Sequence, residues 1–163
     1  MRAAPYLWRY SAIRPSLMET ADLITAEEAE RRVLILENPS LKGETAAADS
    51  LFAGLQLIMP GEVAGTHRHS PSALRFIIEG DGAYTAINGE KAPMKVGDLI
   101  LTPSMVWHDH GNVGSDPVVW LDGLDIPLIR ALGTMFTDLY NGGELHPEGR
   151  PDYDNIARFG ANM

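Results

Sequence analysis

The segment PGEVAGTHRHSPSALRFIIEG, Pro60 to Gly80, holds two of the chain's five histidines one residue apart, between a proline-glycine turn and an apolar run that contains an arginine. On a strand, successive side chains alternate faces, so His67 and His69 point the same way and can grip one ion with their ring nitrogens. A lone pair of this kind is a weak signal. A second pair occurs in GDLILTPSMVWHDHGN, where His108 and His110 also share parity and follow a strand and a proline. A third ligand from that pair would close a facial arrangement around a metal and leave positions open for substrate and oxygen. The plainer alternative for His108, beside Trp107, is a partly buried imidazole hydrogen-bonded to backbone.

The sequence around this segment is organised as short strands. Candidates are Leu51–Met59, Ala73–Glu79, Ala83–Ile87, Leu99–Thr102 and Val118–Leu121, separated by Pro60-Gly61, Gly80-Asp81-Gly82, Asn88-Gly89, Gly97-Asp98 and Gly114-Ser115. Asn88-Gly89 is a strong hairpin turn, because both residues tolerate positive φ. Strands at this spacing predict an antiparallel sandwich or small barrel. Upstream, Thr25 with Glu28 three residues later is a capping-box pattern, which predicts a short helix from about Ala26 that ends near Asn38-Pro39. Downstream, IPLIRALGTMFTDLY is apolar at helical spacing, with Pro127 suited to a first turn. The expected organisation is an N-terminal arm and helix over 1–50, a barrel over 51–124, and a C-terminal helix with an irregular tail over 125–163.

Composition narrows the function classes. A chain of 163 residues, 45% apolar and 21% charged, suits one soluble globular domain. The net charge of −9 disfavours nucleic acid and anionic membrane surfaces as partners, and an anionic ligand would need a local cation to overcome that field. With no cysteine, thiolate metal sites and cysteine nucleophiles are excluded, and the reading is compatible with a cytoplasmic protein. No apolar segment reaches the length of a signal peptide or a membrane span.

Taken jointly, Gly61, His67 and His69 in one motif and Gly97, Pro103, His108 and Asn112 in the other resemble the two signature motifs of the cupin superfamily. The implied fold is mainly β, a single double-stranded β-helix or jelly-roll barrel, with a short N-terminal helix and a C-terminal helix. The chain departs from the general pattern twice. Ala73 or Leu74 replaces the usual glutamate after the second histidine, and Met105 replaces a glycine two residues after Pro103. Without the carboxylate ligand, three neutral imidazoles would leave the full charge on a dipositive ion and favour an anionic, chelating substrate.

The stretch from LFAGLQLIMPGEVAGTHRHS through VWHDHGN and VVWLDGLDIPLIRAL, with EEAERRVLILENPSL and RFGANM outside it, resembles gentisate 1,2-dioxygenases and their salicylate- and hydroxynaphthoate-cleaving relatives. The resemblance implies an Fe(II) site held by His67, His69 and His108, and a reaction of gentisate with dioxygen to give maleylpyruvate. It implies that Arg75 binds the substrate carboxylate, that Asp122 orients or deprotonates a ring hydroxyl, and that Gln56 and Arg31 belong to the pocket. His110 would hydrogen-bond substrate or oxygen rather than the ion. Alternatives stand beside these roles: an internal ion pair of Arg75 with Asp122 or Glu79, a strand-end turn at Asp122, an inward polar Gln56, and a solvated Arg31. The relatives are two-barrel enzymes, so the expectation is one barrel of such a protein, active or persisting as a metal-binding module that takes a small aromatic acid. Mn or Ni is an alternative ion. Exposure of the apolar face of IPLIRALGTMFTDLY implies a homo-oligomer.

Overall fold

The computed structural model describes residues 2–25, 28–29, 32–143 and 145–160. At Asn88 and Gly89 the backbone adopts φ of 48° and 82°, the left-handed pair that a two-residue hairpin turn requires. In chain order the strands are β1 (Val33–Ile35), β2 (Phe52–Ile58), β3 (Val63–His69), β4 (Ala73–Glu79), β5 (Ala83–Ile87), β6 (Glu90–Pro93), β7 (Leu99–Thr102), β8 (His108–Asn112), β9 (Val118–Leu124) and β10 (Thr137–Leu139). They form two antiparallel five-stranded sheets, ordered β1-β2-β9-β4-β7 and β10-β3-β8-β5-β6. This is the mainly β cupin architecture that the two motifs imply. Among the described residues no helix is long and apolar enough to cross a membrane.

The inner faces divide into a polar half and an apolar half. Along β2, β4 and β9 the inward residues Gln56, Arg75 and Asp122 are each followed or preceded, one alternation away, by Ile58, Ile77 and Trp120. Ile58, Ile77, Ala83, Met94, Val118 and Trp120 pack into one buried cluster, each large member contributing about 1.5–3 kcal/mol of transfer free energy. The polar half is therefore held on a packed floor. Gly80 closes the end of β4 with φ 89°, where an added Cβ would meet the Pro117 carbonyl oxygen.

The N-terminal arm supplies an element that the sequence conceals. Tyr10–Leu23 form helix α1 even though Pro15 lies inside it and removes one helical amide. Burial explains why the helix survives: Leu17 is fully enclosed with Leu36, Leu55, Leu57 and Val119, and Trp8, Ile13 and Met18 pack around them. The arm is also tied to β4, because Tyr10 Oη and Arg14 Nε donate to Glu79 at 2.8 and 2.7 Å.

Two expectations about helices need correction. The capping box forms, with Thr25 N donating to Glu28 Oε2 at 3.2 Å and Glu28 N to Thr25 Oγ1 at 3.1 Å. No helix runs on to Asn38, however. Val33–Ile35 is β1, paired with β2 through Leu34 and Leu55. Two of its three residues are β-branched, and an open sheet edge beside them outweighs the local helical pattern. Ala26 itself lies outside the described residues. At the other end, helix α2 covers only Ile126–Ala131. Gly133 turns the chain with φ 69°, and Thr137–Leu139 becomes β10 on the edge of β3.

Candidate metal centre

Strands β3 and β8 lie side by side and bring the histidines together. Their register runs Val63 with Gly111, Ala64 with His110 and His67 with His108, with a shift between Ala64 and His67. The extra residue re-aims the strand, so that inward parity passes from Ala64 to His67 and His69. Thr66 then faces the other way and donates to Asp109 at 2.9 Å, and the amide of His146 donates to Thr66 Oγ1 at 2.6 Å. Burial holds the Asp109 carboxyl above its usual value, against the hydrogen bond from Thr66. The middle residue of the His-Asp-His pair thus anchors the C-terminal segment behind the site.

His67, His69 and His108 are all buried, and their ligand-capable atoms lie within 4.8 Å of one another. Ring centroids are 4.2 Å apart for His67 and His108, 4.9 Å for His69 and His108, and 5.6 Å for His67 and His69. Each Nδ1 sits on a main-chain carbonyl two residues away: His67 on Gly65 at 2.9 Å, His69 on Pro71 at 2.7 Å and His108 on Val106 at 2.9 Å. A carbonyl only accepts, so each Nδ1 carries the hydrogen, and in the neutral ring the lone pair lies on Nε2. Burial, then the Arg75 charge, then His67 push the His108 imidazole far below its usual value, so it is neutral. Its Nε2 is buried without a hydrogen-bond partner among the described residues. A buried polar atom of that kind implies a missing partner. These backbone-oriented nitrogens fit a divalent transition metal, and among the described residues no carboxylate joins the group.

His110 is the fourth buried imidazole of the neighbourhood, with its ring 5.7 Å from His108 and 6.4 Å from His67. Its Nδ1 meets the Thr85 hydroxyl at 2.9 Å, and its ring lies 5.5 Å from Trp120. It stands outside the three-histidine group.

Arg75 points inward, as alternation in the run from Ala73 to Glu79 requires, while Leu74 and Phe76 are exposed on the outer face. Directly across the ladder is Asp122, and Arg75 Nε lies 3.3 Å from Asp122 Oδ1. Arg75 Nη1 donates to Thr102 Oγ1 at 2.5 Å. The internal ion pair weighed above is therefore present; Glu79 is committed instead to Tyr10 and Arg14. Charge pairing offsets the desolvation of both side chains, which are 3% and 8% exposed. It also fixes the plane of the guanidinium.

Beside the histidines a cavity of about 330 Å³ opens to the surface. Gln56, His69 and Asp122 supply its polar wall, and Val33, Phe52, Met135 and Thr137 are among its other lining residues. Arg31 lies outside the described residues. Thr85 and Thr102, which hold His110 and Arg75, escaped the sequence reading. Both have inward parity on predicted strands, yet a single threonine in a strand gives no sign of what it faces.

A cupin domain family matches residues 54–124. The chain is 54% identical over 160 residues to the gentisate 1,2 dioxygenase 1 of Aquipseudomonas alcaligenes, covering 98% of this chain and 46% of the relative. It is 30% identical over 144 residues to the 5-nitrosalicylic acid 1,2-dioxygenase of a Bradyrhizobium species, covering 80% of this chain and 69% of the relative. Among solved structures, the salicylate 1,2-dioxygenase of Pseudoaminobacter salicylatoxidans, in its adducts with gentisate, superposes with a TM-score of 0.82 at 37% identity. That match covers 85% of this chain and 38% of the other. The chain thus spans about half the length of the gentisate dioxygenase that it matches.

Proposed function

Because this chain belongs to the gentisate 1,2-dioxygenase family of cupin proteins, we propose that its three-histidine centre holds Fe(II) and serves ring cleavage of a gentisate-type aromatic hydroxy acid by dioxygen. The observation that carries this reading is the convergence of His67, His69 and His108 beside a cavity that also presents Asp122 and Gln56. The three Nε2 lone pairs would hold the ion, and their neutrality would leave its charge available to an anionic ligand. When bound, Fe(II) would bring a chelating acid and dioxygen into contact and pass charge from the electron-rich ring to oxygen.

The chain's own side chains account for the rest. Arg75, its fork oriented by Asp122 and Thr102, would take the substrate carboxylate and offset a charge that the net −9 of the protein repels. Asp122 would accept the proton of a ring hydroxyl, Gln56 would hydrogen-bond the acid from the cavity wall, and His110 would donate to its oxygens. A cavity of about 330 Å³ is at the small end of ligand sites and suits a single ring. With gentisate the product would be maleylpyruvate, both oxygen atoms entering it. Exposed Leu128, Leu132, Phe136 and Leu139 support self-association through the segment around α2 and β10.

The test is anaerobic reconstitution with Fe(II), addition of gentisate, and admission of air while oxygen uptake and near-ultraviolet absorbance are followed. Uptake matched to new product absorbance is expected, and His108→Ala should abolish both iron retention and turnover. Tight iron binding without uptake would instead identify a non-catalytic metal-binding module.

A further inference from the structure

The two sheets leave a second cavity at their far edge. Strand β6 ends one sheet and β7 ends the other, and residues between Arg150 and Gly160 wall the gap between them. That segment is fastened at the turn before β6. The amides of Gly149 and Arg150 donate to Gly89 O at 3.0 and 2.9 Å, and the amide of Asn155 donates to Glu90 Oε1 at 2.9 Å. The cavity measures about 770 Å³, within the usual range of small-molecule sites. None of its lining residues lines the cavity beside the histidines.

Ile87, Ala92, Ile100, Leu101 and Val106 supply much of its apolar wall. Ile87 is paired with Glu90 and Thr85 with Ala92, so Glu90 and Ala92 share the inner face of their sheet. Glu90 also lines the cavity and is 3% exposed, and its Oε2 is buried with no hydrogen-bond partner among the described residues. A carboxylate oxygen enclosed in this way calls for a donor. The other charged lining residues are better solvated: Lys95 is exposed, and Asp98 and Arg150 are half-buried. Water and salt screen those three, so the charge felt inside is chiefly that of Glu90. The net −9 of the chain adds to the attraction for a cation. An ammonium group brings three donors and a positive charge, and a charge-assisted hydrogen bond is about twice as strong as a neutral one.

We infer that this cavity is a second ligand site, which takes a small apolar molecule carrying a protonated primary amine, the amine on Glu90 Oε2 and the apolar body against Ile100, Leu101 and Val106. A simple amine and an amino acid share that chemistry. Arg150 lines the same cavity and would take the carboxylate of an amino acid. The inference is independent of the dioxygenase reading.

The test follows amide signals in ¹H–¹⁵N correlation spectra of the metal-free, ¹⁵N-labelled full chain during titration with phenethylamine, phenylalanine or 3-phenylpropionate. One or both of the amines should shift the amides of Glu90, Leu101 and Asn155 and leave those of Gln56 and His69 in place, with no such shift from 3-phenylpropionate. Tighter binding of phenylalanine, lost in Arg150→Gln, supports the site with an amino acid as its ligand; tighter binding of phenethylamine supports it with a simple amine. Glu90→Gln keeps an acceptor for the Asn155 amide and should weaken amine binding about 10- to 100-fold. Ala92→Phe fills the cavity, leaves Glu90 in place and should abolish the shifts. The proposal is overturned if neither amine shifts these amides at concentrations up to about 10 mM, or if the affinity in Glu90→Gln stays within about twofold. Equal shifts from 3-phenylpropionate, or shifts confined to Gln56 and His69, overturn it as well. If Glu90→Gln does not fold, Ala92→Phe and the comparison with 3-phenylpropionate decide by the same criteria.

Discussion

Removing the Asp122 carboxylate while leaving Arg75 in place should destabilise the protein far more than replacing both. The two residues face each other across the β4–β9 ladder, with Nε and Oδ1 3.3 Å apart and side-chain exposures of 3% and 8%. In Asp122→Ala the guanidinium keeps its hydrogen bond to the Thr102 hydroxyl, which carries no charge to balance it. Breaking a buried pair from one side costs about 3–5 kcal/mol, whereas apolar replacement of both partners is often neutral or stabilising. For a chain of this length each kcal/mol corresponds to about 2–4 °C, so Asp122→Ala should lower Tm by about 6–20 °C. The double variant Arg75→Met/Asp122→Leu should recover most of that loss. Differential scanning calorimetry of the metal-free protein keeps ligand stabilisation out of the comparison. A fall under about 2 °C, or a double variant no more stable than the single one, would show that water or another group already balances Arg75.

Arg75→Ala should raise KM for gentisate about 10- to 100-fold with iron content unchanged, the worth of a charge-assisted hydrogen bond, as checked by steady-state kinetics and metal analysis. Met105, at the position where the family pattern has glycine, keeps a left-handed φ of 61° and donates its amide to His69 O at 2.8 Å. Relieving that strain in Met105→Gly, less the extra chain entropy of glycine, should stabilise by up to about 1 kcal/mol in chemical denaturation. Hydrogen bonding from Arg14, then from Tyr10 against the effect of burial, holds the Glu79 carboxyl below its ordinary 4.5. A depressed folded-state value gives stability that is present above pH 4.5 and lost as pH falls through the folded value. Glu79→Gln should therefore cost about 1–3 °C in Tm at neutral pH, with the difference vanishing in acid.

Residues with strict periodicity and flanking turn signals were legible. Ala73–Glu79, Ala83–Ile87 and Leu99–Thr102 begin and end where glycines and prolines bracket them. The shared parity of His67 and His69 held because both follow the bulge; had it fallen between them, alternation would have sent them to opposite faces. Elements decided by tertiary packing were not legible. Helix α1 carries a proline, and its stability comes from burying Leu17 on residues 19 to 102 positions away in sequence. Strands β1 and β10 are three residues each and exist because an open sheet edge is available to them. In the site, residue types and faces could be read from the sequence, but the pairing of Arg75 with Asp122 depends on which strands become neighbours.

The anchors of the three clustered imidazoles are main-chain oxygens, which no exchange of side chains can delete. Point substitution can remove one of these rings, but it can turn a remaining ring only by bending the path of the strand beneath it. His110 hangs instead on a group that one base change can take away or alter. Divergence of this barrel should accordingly spare the orientation of the three clustered rings and fall on the fourth.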